Sequence, residues 1–369
     1  MKTIRRLIYS EVVRAVGFVT LGFLCLFFFF DFIDELSAVG KPPGIAYGLP
    51  QALMYVALTI PSHLYELLPI AVLIGTIFVM ARLAQSSEYT ILRTSGLGPW
   101  RALRTLLLLG LGFVVLTFAV GDYLAPAASR TAQLLKSRYQ GYLTTAGATG
   151  AWLKEKQGDI SYAVNVVSLE RNGTLTNVRI FEFDAKGFLA AQINGSRARV
   201  VEGGWLLQDV ERLGYDTRHG GSTARITSEV LPVFLWPSAL TNEMVSVALL
   251  KPDRMSTIDL FTYIRHLDAN GQTAQRYEIQ FWRKVFYPLS CLVMVVLALP
   301  FAYLHFRQRG ITSYVFGGVM IGISFFLLNN VFGYLGNLSH WQPWITAAAP
   351  GLIYTLMSLA AFGWLVLRR

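Results

Sequence analysis

Six stretches of this chain run nearly without charge for long enough to cross a bilayer. They are Ala15–Phe30, continued by Phe32 and Ile33; Val56–Ala81, broken by the single charge of Glu66; Thr105–Gly121; Val285–Leu304; Ile311–Leu338; and Trp341–Leu367. About 20 apolar residues in a helix cover the hydrocarbon core. Between the third and fourth stretches the pattern changes to period two. Asp159–Ser168, Asn177–Asp184, Gly187–Ile193, Ser196–Glu202, Trp205–Tyr215 and Ala224–Val230 read as strands. Asn172-Gly173, Lys186-Gly187, Asn194-Gly195, Gly203-Gly204 and Gly220-Gly221 read as the turns between them.

The pattern therefore predicts an α+β membrane protein. Residues 1–125 hold spans one to three and a short helix at about 84–98. Residues 126–255 form an antiparallel β domain, sandwich or jelly roll. Residues 256–369 hold an amphipathic connector and spans four to six. Ser256 can cap the connector, with Asp259 three residues on as an imperfect capping box, and Gly271 breaks it. Thr273–Lys284 then leads into span four. Pro61 and Pro69 remove backbone donors from span two. Gly318 and Gly322 form a GxxxG pair in span five, suited to close packing inside the bundle or against another subunit.

Charge adds an orientation. The chain carries a net charge of +10, which by itself would permit a nucleic-acid partner. Its distribution argues against one. Twelve basic residues (Lys2, Arg5, Arg6, Arg14, Arg82, Arg93, Arg101, Arg104, Arg307, Arg309, Arg368 and Arg369) lie in the four short segments on one side of the six stretches. Only two acids, Glu11 and Glu88, accompany them. That is the positive-inside pattern, so both termini are expected in the cytoplasm and the β domain outside. The first stretch has no small-residue cleavage site after it and reads as a retained helix.

Chemistry is scarce. There is no GxxxxGK[ST] phosphate loop, no HExxH and no GxSxG. Cys25 and Cys291 both sit in apolar stretches, and the five histidines are scattered, so no metal or cofactor site is expected. Glu66 is the one acid inside a span, toward its outer end. These features point away from an enzyme and away from an ion-coupled pump.

Several segments carry a resemblance. They are Phe32–Leu36 (FIDEL), Leu83–Gly96 (LAQSSEYTILRTSG), Gly121–Pro126 (GDYLAP), Tyr277–Ser290 (YEIQFWRKVFYPLS) and Gly322–Phe326 (GISFF). In order and spacing the chain resembles the lipopolysaccharide-export permeases of the LptF/LptG (YjgP/YjgQ) family nearly end to end, nearer the LptG branch. The resemblance implies a subunit of an ATP-binding-cassette exporter in a Gram-negative inner membrane. It pairs with an LptF-like permease and works with an LptB-like ATPase dimer and an LptC-like single-span protein. Lipopolysaccharide would leave the inner membrane through it toward a periplasmic bridge. An ATPase-coupled mechanotransmission permease and a membrane-anchored ligand-binding sensor remain as alternatives, though six spans and the absence of a signalling domain weigh against them.

The resemblance also implies sites. In the first cytoplasmic loop, Glu88 would be the acidic contact to the ATPase, with Tyr89, Ile91, Leu92 and Arg93 beside it. Ser86 or Ser87 can cap this short helix and Gly96 suits its end. Spans one and five would form lateral gates, with Phe27, Phe30, Ile321 and Phe325 along the acyl-chain wall. Lipid A phosphates call for cations, and the candidates are Lys41, Arg130, Lys136, Arg138, Arg283 and Lys284. One departure stands out. Asp31 and Ser37 occupy the outer end of span one where the family leads one to expect a lysine, so Lys41 or the partner permease would supply that charge.

Overall fold

The computed structural model describes residues 2–40, 47–96, 98–140, 150–170, 173–216, 225–242, 244–245, 252–303 and 311–364. The chain divides into two compact units. Met1–Ser37, Val56–Ser129 and Glu278–Arg369 make a helical unit; Ala38–Tyr55 and Arg130–Tyr277 make a β unit.

Along the chain, α1 (Lys2–Leu36) and α2 (Leu49–Gln85) are long helices, and α2 continues through both Pro61 and Pro69. The short α3 (Glu88–Thr94) follows, then α4 (Pro99–Ala119), a π-turn at Val120–Leu124, and α5 (Ala125–Gln140). Among the described residues six helical segments are long and apolar enough to cross a membrane: Ile4–Leu36, Leu49–Gln85, Pro99–Lys136, Gln275–Tyr303, Thr312–Leu338 and Pro343–Phe362. Span two is the axis of the core. Leu68, Leu73, Ile77 and Met80 are sealed against Leu106, Met294 and Val295.

Missing side chains set the closest approaches. A Cβ on Gly75 would lie 2.7 Å from the Val16 backbone nitrogen, so spans one and two touch there almost backbone to backbone. The GxxxG pair serves internal packing: Gly318 admits Ile77 and Gly322 admits Ile70, both from span two. Gly121 in the π-turn makes room for the Tyr65 ring.

The β unit contains β1 (Ala151–Gln157), β2 (Ile160–Leu169), β3 (Thr174–Phe183), β4 (Leu189–Val201), β5 (Gly204–Asp216) and β6 (Arg225–Pro237). They pair in chain order as one antiparallel sheet. The pattern leaves sandwich or jelly roll open; the described strands instead follow one another up and down within a single sheet. Its two edges meet at one end. Gln157 Nε2 donates to Pro237 O at 2.8 Å, Ser238 Oγ donates to Glu155 Oε2 at 2.6 Å, and the Ala239 amide donates to Glu155 Oε1 at 2.9 Å. On the buried face of the sheet Trp205 and Trp236 meet edge to face, with Leu153, Ile180, Ile193 and Leu207 in the same core.

Strict alternation fails along one line across this sheet. In β4 the buried positions are Ala191, Ile193 and Gly195, then Ala198, with Ser196 and Arg197 both exposed. In β5 they are, after the buried first residue Gly204, Trp205 and Leu207, then Val210. In β3, Leu175 is followed by Val178 and Ile180. The level residues are Asn177, Ser196, Asp209 and Pro232, set by the pairs Val178↔Gly195, Gly195↔Val210 and Val210↔Leu231. Asn177 and Asp209 have φ of 50° and 52°, a left-handed backbone that turns the following side chains over. Ser196 Oγ donates to Asp209 Oδ2 at 2.8 Å along this crease. Pro232 has no amide to lose from a ladder and lies on the edge strand, where proline is tolerated.

The crease corrects three sequence readings. Asn194-Gly195 is not a turn but the middle of β4, next to the flip. The strand read to end at Val230 continues past Pro232 to Pro237, and the one read to begin at Asn177 begins at Thr174. β1 escaped notice because its inward row includes the carboxylate of Glu155, 6% exposed and answered by Ser238 and Ala239. Gly220-Gly221 lies outside the described residues. The turns at Gly173, Lys186-Gly187 and Gly203-Gly204 are present, each with a left-handed glycine.

The connector begins at α6 (Thr257–Ala269), with a complete capping box between Ser256 and Asp259. Gly271 (φ 62°) ends it. Span four is segmented, α7 (Gln275–Phe286) and α8 (Ser290–Ala298) joined by a 3₁₀ turn at Tyr287–Leu289, where Pro288 denies the helix a donor. Spans five and six are α9 (Ile311–Leu338) and α10 (Pro343–Phe362).

Candidate functional site

The loop helix α3 has two faces. Ser87 does not cap it: its backbone is left-handed (φ 58°) and its hydroxyl makes no capping bond. Ser86 bonds back to Arg82 O and closes α2 instead. What holds α3 is aromatic. Tyr89 is 4% exposed and meets Tyr303 edge to face at 5.2 Å, and the Arg93 guanidinium lies 5.6 Å over the same Tyr303 ring. Burial pushes the Tyr89 hydroxyl well above the ordinary phenol range, with Tyr303 adding to it, so Tyr89 stays neutral. Leu92 is half-buried against the bundle. Glu88 and Ile91 are exposed. Of the five residues the sequence groups together, three anchor the helix and two are offered outward.

One turn at the head of span four binds three neighbours. Arg283 Nη2 donates to Asn330 Oδ1 of span five at 3.3 Å. Lys284, 8% exposed, donates from Nζ to Gly121 O of the π-turn at 2.8 Å. Tyr287 donates from its hydroxyl to Glu66 O of span two at 2.5 Å. A π-turn leaves a carbonyl without its regular partner, and the lysine satisfies it. The turn thus fixes spans two, three and five relative to span four.

The other cationic candidates in the described residues are also engaged, within the β unit. Arg130 pairs with Asp259. Burial alone would raise that carboxyl, but bonds from Ser256 and the Arg130 guanidinium outweigh it and hold it below the usual range. Lys136 Nζ sits 4.5 Å over the Tyr55 ring. Lys41 and the Arg138 side chain lie outside what the structure describes.

The four wall candidates also divide. Phe30 is 55% exposed, while Phe325 is 2% exposed and packed between Tyr287 and Tyr354. Phe27 lies 5.0 Å from the His63 ring, and Ile321 rests half-buried on the core. Besides Phe30, the outward faces carry residues that the sequence did not single out. Span one shows Phe18, Leu21 and Phe29; span five shows Phe316, Leu327 and Tyr334. Hydropathy alone cannot tell the sides of a helix that is apolar all round.

Sequence reasoning also missed a polar cluster between spans one and two. His63 Nε2 and Asp31 Oδ2 are 2.6 Å apart, and Thr59 Oγ1 donates to the same oxygen at 3.1 Å. Asp31, in place of the lysine that the resemblance leads one to expect, therefore has local partners. No group of three or more potential metal ligands occurs among the described residues.

Residues 6–367 match the family model for the lipopolysaccharide export system permease LptF/LptG. The chain belongs to that family. The permease is also similar to the protein named "Lipopolysaccharide export system permease protein LptG" from Escherichia coli strain K12. The two are 28% identical over 345 residues, covering 92% of this chain and 90% of the relative. The Haemophilus influenzae protein of the same name is 24% identical over 372 residues, covering 100% and 99%. The permease is thus a multi-pass membrane protein of a transport system, built from six apolar helices and an inserted antiparallel sheet.

Proposed function

We infer that this permease is the LptG-type subunit of an ATP-driven exporter that draws lipopolysaccharide out of the inner membrane and passes it toward the outer membrane. The observation that carries this reading is the unequal cover of the spans. Only 6% of the apolar window of span one and 22% of that of span five are buried within the chain, against 83% for span two. Two bare helices on a finished core suit a seam with an LptF-like permease, opening to admit acyl chains. The Lys/Arg distribution supports cytoplasmic termini and a periplasmic β unit, from which an LptC-like protein would take the substrate onward.

ATP hydrolysis belongs to a separate LptB-like dimer. The knob of α3 suits its groove: Tyr89 and Arg93 transmit force into the bundle through Tyr303, and Glu88 and Ile91 make the contact. For the lipid A phosphates, Lys41, Arg130, Lys136, Arg138, Arg283 and Lys284 remain the candidates. A phosphate that reached Arg283 or Arg130 would have to replace Asn330 or Asp259. Lys284 is the least accessible of the four whose side chains the structure describes.

The test is a Glu88→Lys permease co-expressed with its partner permease and the ATPase. Docking predicts at least a tenfold loss of co-purified ATPase with the permease still folded; full recovery and export would overturn it. A photo-crosslinker at Phe18 or Tyr334 should capture lipopolysaccharide or the second permease, whereas one at Phe325 should not.

A further inference from the structure

At the N-terminal end of α1 the described residues border a shallow, open depression of about 620 Å³. Its described lining is one stripe of the helix: Arg5, Arg6, Tyr9, Ser10, Val13 and Arg14. The stripe is held rigidly. Ile8, Val12 and Val16 on the adjoining face are buried in the bundle, and Tyr9 donates its hydroxyl to Thr105 O at 3.1 Å. Arginines stand at both ends of the stripe, and carbon-rich Tyr9 and Val13 lie between. Glu11, the nearest acid in the sequence, is answered by Arg82 at 2.6 Å, leaving Arg14 3.8 Å away with its side chain 77% exposed. Among the described residues no carboxylate pairs with Arg5 or Arg6.

We propose that this groove binds an anionic glycerophospholipid, its phosphate held by Arg5, Arg6 and Arg14 and the start of its chains lying on Tyr9 and Val13. Three cations beside an apolar floor, where the uncharged run of span one begins at Ala15, match a ligand with an anionic head joined to a hydrocarbon tail. The site is at the end of span one opposite Asp31 and His63. On the orientation inferred above it faces the cytoplasmic leaflet, so its ligand is distinct from the exported lipid. A bound phospholipid there would brace the root of span one while its other end moves.

The experiment titrates the detergent-purified full-length permease with dioleoyl-phosphatidylglycerol and, separately, dioleoyl-phosphatidylcholine, counting adducts by native mass spectrometry. The phosphatidylglycerol should bind in preference. An Arg5→Gln/Arg6→Gln/Arg14→Gln protein should bind it about a hundredfold more weakly, at roughly fivefold per arginine near an anionic surface. Val13→Trp, which fills the floor without changing charge, should also reduce binding. Equal binding of the two lipids, or an unchanged phosphatidylglycerol titration in the triple variant, would overturn the proposal. So would a triple variant that keeps its lipid but loses a co-purifying protein, because the groove would then be a protein contact. Thiol labelling of Arg5→Cys in intact and permeabilised cells reports orientation separately, so a reversed topology and an absent lipid site give different results.

Discussion

Spans one and two are almost equally apolar, yet span two is enclosed and span one is bare. Apolar composition places both in a membrane; it does not say what each will touch. Contact is decided by shape, and here by glycine. Gly75 of span two lies under the Val16 backbone, whereas Gly17 and Gly22 of span one have nothing within 4 Å of where a Cβ would stand. Span two meets its neighbours at van der Waals distance inside this chain, and span one keeps its outer surface for lipid or for another molecule.

That contrast can be broken most severely at the glycines. Gly75→Leu should cost about 3 kcal/mol or more, since the side chain meets backbone that cannot give way, and should abolish accumulation of folded permease. Gly22→Leu, into open space in an equally apolar helix, should change the melting temperature in detergent little. Equal effects would mean span one is covered by its own chain after all. The next largest effect is expected at Lys284. Lys284→Ala strands the Gly121 carbonyl and should cost about 2 kcal/mol by thermal unfolding, whereas Lys136→Ala should cost less than half of that. On the bare face the expected signs separate. Leu21→Cys should leave stability within about 0.5 kcal/mol of the parent and should cross-link to a second chain, while Ala71→Cys, fully buried in span two, should not cross-link at all.

The smallest effect is expected away from both spans. Burial holds His266 of the β unit below its ordinary value, with Glu155 opposing. The unfolded chain then binds the proton more readily. Its stabilisation is complete above the unfolded value near 6.5 and falls as pH drops through that value toward the folded one. Melting of the β unit should decline from pH 7.5 to 5.5 by the uptake of at most one proton, and His266→Gln should flatten the decline. A slope that survives the substitution would place the responsible group elsewhere.

Much of this fold was legible in the chain. Long uncharged runs have few alternatives to membrane helices, and the switch to period two marks the β insert without ambiguity. The capping box at Ser256 and Asp259 was visible for the same reason: it is local. What was hidden is non-local or two-valued. Asn177, Ser196, Asp209 and Pro232 are turn formers by type, and only the neighbouring strands decide that they make a crease instead. In α3 the sequence marks the segment but not which side is anchored, since Tyr89 is bound by Tyr303, more than two hundred residues later. Arg283 and Lys284 read alike as cations for a phosphate, and only the position of Gly121 turns one of them inward.

The crease has a consequence for how the sheet tolerates change. Losing one residue from a strand normally exchanges its two faces and is ruinous. Here, removing Asp209 would restore simple alternation from Trp205 onward and keep every core side chain of β5 on its present side. The damage would come from its neighbours, which would still bend while β5 ran straight. Length variation at this level should therefore occur in adjacent strands together or not at all, with the fold line inherited as a unit.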